Sequence, residues 1–173
     1  MNVQSTLVLL LTLTCAITDF RAGKIYNKVT YPAALVGLLF SYFAGSPSLA
    51  QRLTGLAGAL ALYSLLRAIA GMGAGDVKLM AAVGAFKGLP FVLYSSFYIF
   101  CVACLISLVL LACRHRLLPV FRWIGATLIW VIYPRFERPE LSGAMTTMPF
   151  GPSIFFGVAL CLYLEAVYGQ FAF

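Results

Sequence analysis

Long apolar runs separated by short polar stretches set the predicted elements of this chain. Val3 to Thr18 is apolar for about sixteen residues, near the lower limit for a helix that crosses a bilayer, and it stops at Asp19. A polar loop from Asp19 to Lys28 follows. Val29 to Ala44 is the second predicted helix, with Pro32 assigned to its first turn, where a missing N–H costs nothing. Gly45-Ser46-Pro47-Ser48 is a turn by its breaker content. Leu53 to Ala70 is the third helix. Val77 to Phe86 is apolar but short, closed by Lys87-Gly88 and Pro90, and covers roughly half the hydrocarbon thickness. Leu89 to Cys113 is long enough to span with tilt. Trp123 to Tyr133, bracketed by Arg122 and Pro134-Arg135, is too short to span and reads as an interfacial helix. Pro149 to about Tyr168 is the last span. The expectation is an all-α, polytopic membrane bundle of about six spanning or part-spanning helices, forming one domain over residues 1–173.

Composition strengthens that reading. The 173 residues are 62% hydrophobic and 10% charged, with mean hydropathy +0.98. Soluble domains average about 25% charged residues. The net charge of +7 is compatible with nucleic acid, but the cations sit in short loops between apolar runs, as membrane topology requires. With the N-terminus outside, the inner loops hold Arg21, Lys24, Lys28, Arg67, Lys78 and the cluster Arg114, His115, Arg116, Arg122, Arg135 and Arg138. Arg52 and Lys87 fall outside. Both termini are therefore expected outside, and Asp19 and Asp76 on the cytoplasmic side. The segment before Thr6 has no cation and reads as part of a retained first helix rather than a cleaved signal.

The five cysteines lie in or beside apolar runs, and the lone pair Cys101–Cys104 gives little basis for a zinc site or a disulfide framework. They read as small packing residues. No cluster has metal-ligand spacing, no serine or cysteine has an evident base partner, and no cofactor is expected.

The candidate chemistry lies in the acids. Among five Asp and Glu residues, Asp76 follows Gly71-Met72-Gly73-Ala74-Gly75 between two apolar segments. An ionisable group at membrane depth is a functional candidate. Asp19 ends the first helix, so packing the first and fourth helices together can pair two carboxylates. One protonated and one ionised carboxyl sharing a water can hydrolyse a peptide bond. Each acid also has a plain structural role. Asp19 can close a helix beside Arg21, and Asp76 can be the N-cap of a helix starting at Val77. Glu165, near the outer end of its run, reads as a packing or interfacial residue. Lys78 stands two residues beyond Asp76 and marks the membrane boundary or meets lipid phosphate.

Three segments carry a resemblance. Gly73-Ala74-Gly75-Asp76-Val77-Lys78-Leu79, with Ala82, Gly84 and Gly88, resembles the second-aspartate signature of the type IV prepilin peptidases, GxGD-type aspartyl proteases of the inner membrane. Asp19, Arg21, Ile25 and Asn27 resemble the first motif of that family, although Tyr26 stands where Pro is common. Met148-Pro149-Phe150-Gly151-Pro152 resembles its C-terminal Pro-aromatic-Gly-Pro motif. The resemblance implies Asp19 and Asp76 as catalytic residues. It implies supporting or substrate-binding roles for Gly73, Gly75, Lys78, Asn27, Pro149, Gly151 and Pro152. It further implies prepilin or pseudopilin substrates with a basic leader before an apolar helix, cut at the cytoplasmic face, and pilus or secretion machinery as partners. The chain lacks two CxxC pairs and is similar to the short Flp/Tad-type members, so no methyltransferase activity is expected. The alternatives are an archaeal preflagellin-type peptidase, or a non-catalytic membrane subunit or transporter using the acids as ion sites.

Overall fold

The computed structural model describes residues 3–44, 47–113 and 150–169. Its described residues form helices α1 (Val3–Ala22), α2 (Asn27–Leu39), the single turn α3 (Ser41–Ala44), α4 (Leu49–Ala70), α5 (Ala74–Lys87), α6 (Leu89–Cys113) and α7 (Gly151–Tyr168). Four of them, α1, α4, α6 and α7, are long and apolar enough to cross a membrane. The protein is a membrane protein of all-helical class. The chain forms two compact units, residues 1–103 with 149–173, and residues 104–148. The fold and site below belong to the first.

Several helix ends differ from the sequence expectation, each for a local reason. α1 continues past Thr18 to Ala22, so Asp19 lies in its last turn, and Gly23 at φ +61° ends it. α2 begins at Asn27, which places Pro32 inside the helix rather than in its first turn. α4 begins four residues before Leu53 because Ser48 and Gln51 form a capping box. Ser48 Oγ accepts the Gln51 N–H at 3.4 Å and Gln51 Oε1 accepts the Ser48 N–H at 2.8 Å. Gly71, left-handed at φ +68°, closes α4.

α5 forms the centre. From Asp76 to Phe86 every residue except Lys78 is buried. Its Ala and Gly content lets neighbouring backbones approach closely, as membrane helix packing favours. It packs on α4, α2 and α1, while α1 packs on α7. Gly55 of α4 lies directly against Gly84 and Gly88, leaving no room for a side chain on either helix there. Gly37 of α2 meets Ala85 and Phe86.

The charges at the far end of α5 are held internally. Arg52 was expected in an outer loop, but it is fully buried in the first turn of α4. Its Nη1 donates to Phe86 O at 2.8 Å and Gly37 O at 3.0 Å, with Ala85 O at 3.3 Å, and its Nε donates to Pro47 O at 2.9 Å. The Gly37, Ala85 and Phe86 carbonyls belong to the last turns of α2 and α5, where unpaired acceptors and the negative end of the helix dipole favour a cation, and Pro47 lies just before α4. Lys87 does not reach outward to solvent. It donates to both carboxylate oxygens of Glu165 at 3.0 and 2.8 Å, joining α5 to α7. Glu165 is thus a packing residue. Of the cysteines, Cys15 and Cys161 are buried, whereas Cys101, Cys104 and Cys113 are exposed rather than packed.

Candidate active site

Successive helices reverse direction, which returns the end of α1, the start of α5 and the start of α7 to one end of the bundle. Asp19 and Asp76, 57 positions apart in sequence (76 − 19), line a single pocket there of about 370 Å³. Gly73, Ala74 and Gly75 form one wall of the pocket, and Gly23 to Asn27 the other. Asp19 is half-buried and Asp76 is 6% exposed.

Each carboxylate is held by a glycine N–H at a helix start. The Gly151 N–H donates to Asp19 Oδ2 at 2.7 Å. This N–H opens α7, whose N-cap is Phe150, and is one of the donors that a helix cannot satisfy internally. Pro152 follows in the first turn and has no N–H to satisfy. The approach requires glycine, because a Cβ at position 151 would stand 2.7 Å from Asp19 Cβ. Asp19 is therefore not merely a polar helix end beside Arg21.

At the other wall, Gly73 is the N-cap of α5 and Asp76 lies in the first turn. Asp76 is not the N-cap itself. Its carboxylate reaches back to the Gly73 backbone, the return half of a capping box. α5 is not among the four helices long enough to cross, and Asp76 stands at its pocket end. Burial pushes the Asp76 carboxyl up to about 7, the Asp19 charge adds to the rise, and the Gly73 hydrogen bond opposes it. The two acids therefore feel one another, and Asp76 is half-protonated near neutrality.

The polar residues around the pocket form a strap across it. A Cβ on Gly75 would stand 2.7 Å from Ile25 Cβ, so glycine lets the Gly23–Tyr26 loop lie against α5. Lys78 Nζ donates to Asn27 Oδ1 at 2.9 Å and sits 5.2 Å from the centroid of the Tyr31 ring. Lys78 thus reaches the start of α2. Of the sequence candidates, Asp19, Asp76, Gly73, Gly75, Asn27, Lys78, Gly151 and Pro152 gather at this end. Pro149, His115 and the Trp123 to Tyr133 segment lie outside the described residues.

Sequence reasoning missed Lys24 and Tyr26 as pocket-lining residues. Their position in the loop after Asp19 was the available signal. Among the described residues, no group of three or more His, Cys, Asp or Glu side chains is arranged to hold a metal ion.

A model of the type IV leader peptidase family matches residues 6–112, which include both aspartates and the whole strap. The chain belongs to the type IV leader peptidase family. Neither a search of curated proteins nor one of solved structures gave a match. Membership makes this chain a peptidase with prepilin-type substrates. Gly151, which bonds Asp19, lies beyond the matched residues.

Proposed function

We propose that this leader peptidase is an aspartyl endopeptidase whose reacting groups are Asp19 and Asp76, acting on Flp/Tad-like prepilins at the cytoplasmic face of the inner membrane without N-methylation. One observation carries the reading: two acids from segments far apart in sequence line the same pocket in a member of a peptidase family. Topology is read from the charges. Arg21, Lys24, Lys28, Arg67 and Lys78 lie in or beside the segments at the pocket end, whereas Arg52 and Lys87 at the other end are engaged internally. That distribution supports a cytoplasmic pocket.

In the reaction, the ionised carboxylate takes a proton from a water, and the oxygen of that water bonds to the scissile carbonyl carbon. The protonated carboxyl gives its proton to the carbonyl oxygen, forming a neutral gem-diol. Collapse of the diol breaks the C–N bond, with a proton delivered to the leaving nitrogen and another returned to the pair. General acid–base assistance of this kind contributes about 10²–10⁴-fold per group. The glycines before Asp76 let an extended substrate backbone approach the carboxyl closely.

The test is cleavage of a co-expressed prepilin by the wild-type chain, Asp19→Asn and Asp76→Asn. Each Asn variant retains the shape but cannot cycle a proton, so the unprocessed precursor is expected to accumulate with either. Processing at the wild-type rate by either variant would remove that residue from the reaction. A solute flux dependent on Asp76, with no peptide product from the wild type, would favour a transport role.

A further inference from the structure

Tyr26 lines the same pocket as both acids, and only its backbone is used by the fold. It is the N-cap of α2, with φ −79° and ψ 128°, and its carbonyl accepts the Val29 N–H at 3.0 Å. The residues on either side are fastened to α5, Ile25 against Gly75 and Asn27 to Lys78 at 2.9 Å. The phenol makes no capping bond and has no hydrogen-bond or ring partner among the described residues. The residue is 50% exposed.

The bend itself does not need a tyrosine. Its φ falls inside the range that a proline imposes, about −65 ± 15°. The Tyr26 N–H donates to no backbone carbonyl among the described residues, and Ile25 before it lies outside any helix. Proline, common at this position in the resembled motif, would make the same turn. What tyrosine adds is a ring and a hydroxyl on a fixed stem in the pocket wall. An extended peptide entering the pocket brings backbone carbonyls that need donors as they leave water. Tyrosine offers apolar area with a donor at its tip, which suits a surface that is wet on one side. We propose that Tyr26 contacts the substrate, its ring laid against the peptide beside the scissile bond and its hydroxyl donating to a peptide carbonyl. This rests on the reading of the pocket as the peptidase site. The contact is made alike before and during the reaction, so it governs affinity rather than the chemical step.

The experiment uses the full chain in liposomes and a synthetic peptide with a basic leader, a glycine and an apolar helix. Tyr26→Pro is expected to raise KM about tenfold with kcat within about twofold, the loss typical of truncating an aromatic contact. Tyr26→Phe keeps the ring and is expected to raise KM about threefold, the share of one neutral hydrogen bond. Thermal unfolding of both should stay within about 2 °C of wild type, since no packing is lost. Where Tyr26→Pro does not fold, Tyr26→Ala reads the same change in KM. A p-benzoylphenylalanine placed at position 26 is expected, on irradiation, to form adducts with the peptide within a few residues of the cut. Excess unlabelled peptide should displace them.

An unchanged KM in Tyr26→Pro, or photoadducts with lipid and none with peptide, would overturn the inference and leave Tyr26 an aromatic anchor at the membrane interface. A fall in kcat and unfolding temperature at unchanged KM would overturn it too, giving Tyr26 a role in shaping the loop. Failure of the pocket reading looks different: Asp19→Asn and Asp76→Asn would then cleave at the wild-type rate, whatever the Tyr26 variants do to KM.

Discussion

Gly75 and Ile25 pack so closely that a Cβ on the glycine would stand 2.7 Å from Ile25 Cβ. The contact seats the Gly23–Tyr26 loop against α5 and fixes the pocket wall opposite Asp76. Gly75→Ala forces either the loop or the start of α5 to move. Displacement of about 1 Å at a reacting site can cost about 100-fold in rate. The expected result is a loss of at least about tenfold in kcat/KM for a leader peptide. Overpacking of this kind costs about 1–3 kcal/mol, so thermal unfolding should fall by a few degrees while the chain still folds. Wild-type turnover in Gly75→Ala would mean that the strap is free to shift.

The strap has a second fastening at Lys78 and Asn27, whose bond is 2.9 Å long and lies at an exposed site. If holding the loop is its purpose, Lys78→Met and Asn27→Leu should impair cleavage to similar extents. The double variant should be little worse than either alone, because both changes remove the same bond. Fully additive losses in kcat/KM would separate the two residues and give Lys78 an independent role, such as contact with lipid phosphate.

How far these features were legible in the sequence depends on their range. Helix number and the approximate spans followed from apolar run length, since bilayer thickness fixes how many residues a crossing helix needs. The end of α1 was misplaced because a polar Asp19 looks like a terminus, whereas the helix runs on to a left-handed Gly23. Asp19 and Asp76 were singled out by their rarity and by motif order. Gly73 and Gly151 were among the motif residues, but the bonds they make to the two acids were not visible. Gly151 bonds Asp19 across 132 positions, and Arg52 bonds carbonyls 33 and 34 positions away. Backbone groups carry no sequence signal of which side chain will meet them.

The Asp76 carboxyl gives a pH prediction with a definite sign. Its ordinary value is 3.8, and burial with the Asp19 charge raises it to about 7. Below about 7 the group is mostly neutral and able to donate a proton; above it, the proton is lost. Cleavage of a leader peptide is therefore expected to decline as pH rises through about 7, about tenfold for each further unit. A rate that stays flat across neutrality and into mild alkali would remove the requirement for a protonated Asp76.

The same shift links activity to stability. A raised carboxyl contributes its stability below 3.8 and loses it as pH rises through about 7. Asp76→Asn has no charge to bury, so it should unfold at a higher temperature than wild type at neutral pH, and the gap should close as pH approaches 4. Loss of cleavage with a gain in Tm is the signature of a group held for function against stability. Equal melting temperatures from acid to neutral pH would mean that Asp76 ionises without penalty.

Arg52 provides a prediction about the scaffold alone. It ties the last turns of α2 and α5 to the first turn of α4 through three acceptor carbonyls, and its Nε bonds a fourth on Pro47 just before α4. Removing the guanidinium leaves the three carbonyls at the ends of α2 and α5 buried, each costing about 1–3 kcal/mol when unsatisfied. Part of that loss is offset because burying the cation was itself unfavourable, and Nη2 has no partner among the described residues. Arg52→Met should consequently lower the midpoint of detergent or urea unfolding markedly. Arg52→Lys should recover a minority of the effect, since one ammonium cannot span acceptors on three segments. The pocket lies at the other end of α5, so the surviving folded fraction should retain near-normal KM. An Arg52→Met chain with wild-type unfolding and altered KM would contradict this division between scaffold and site.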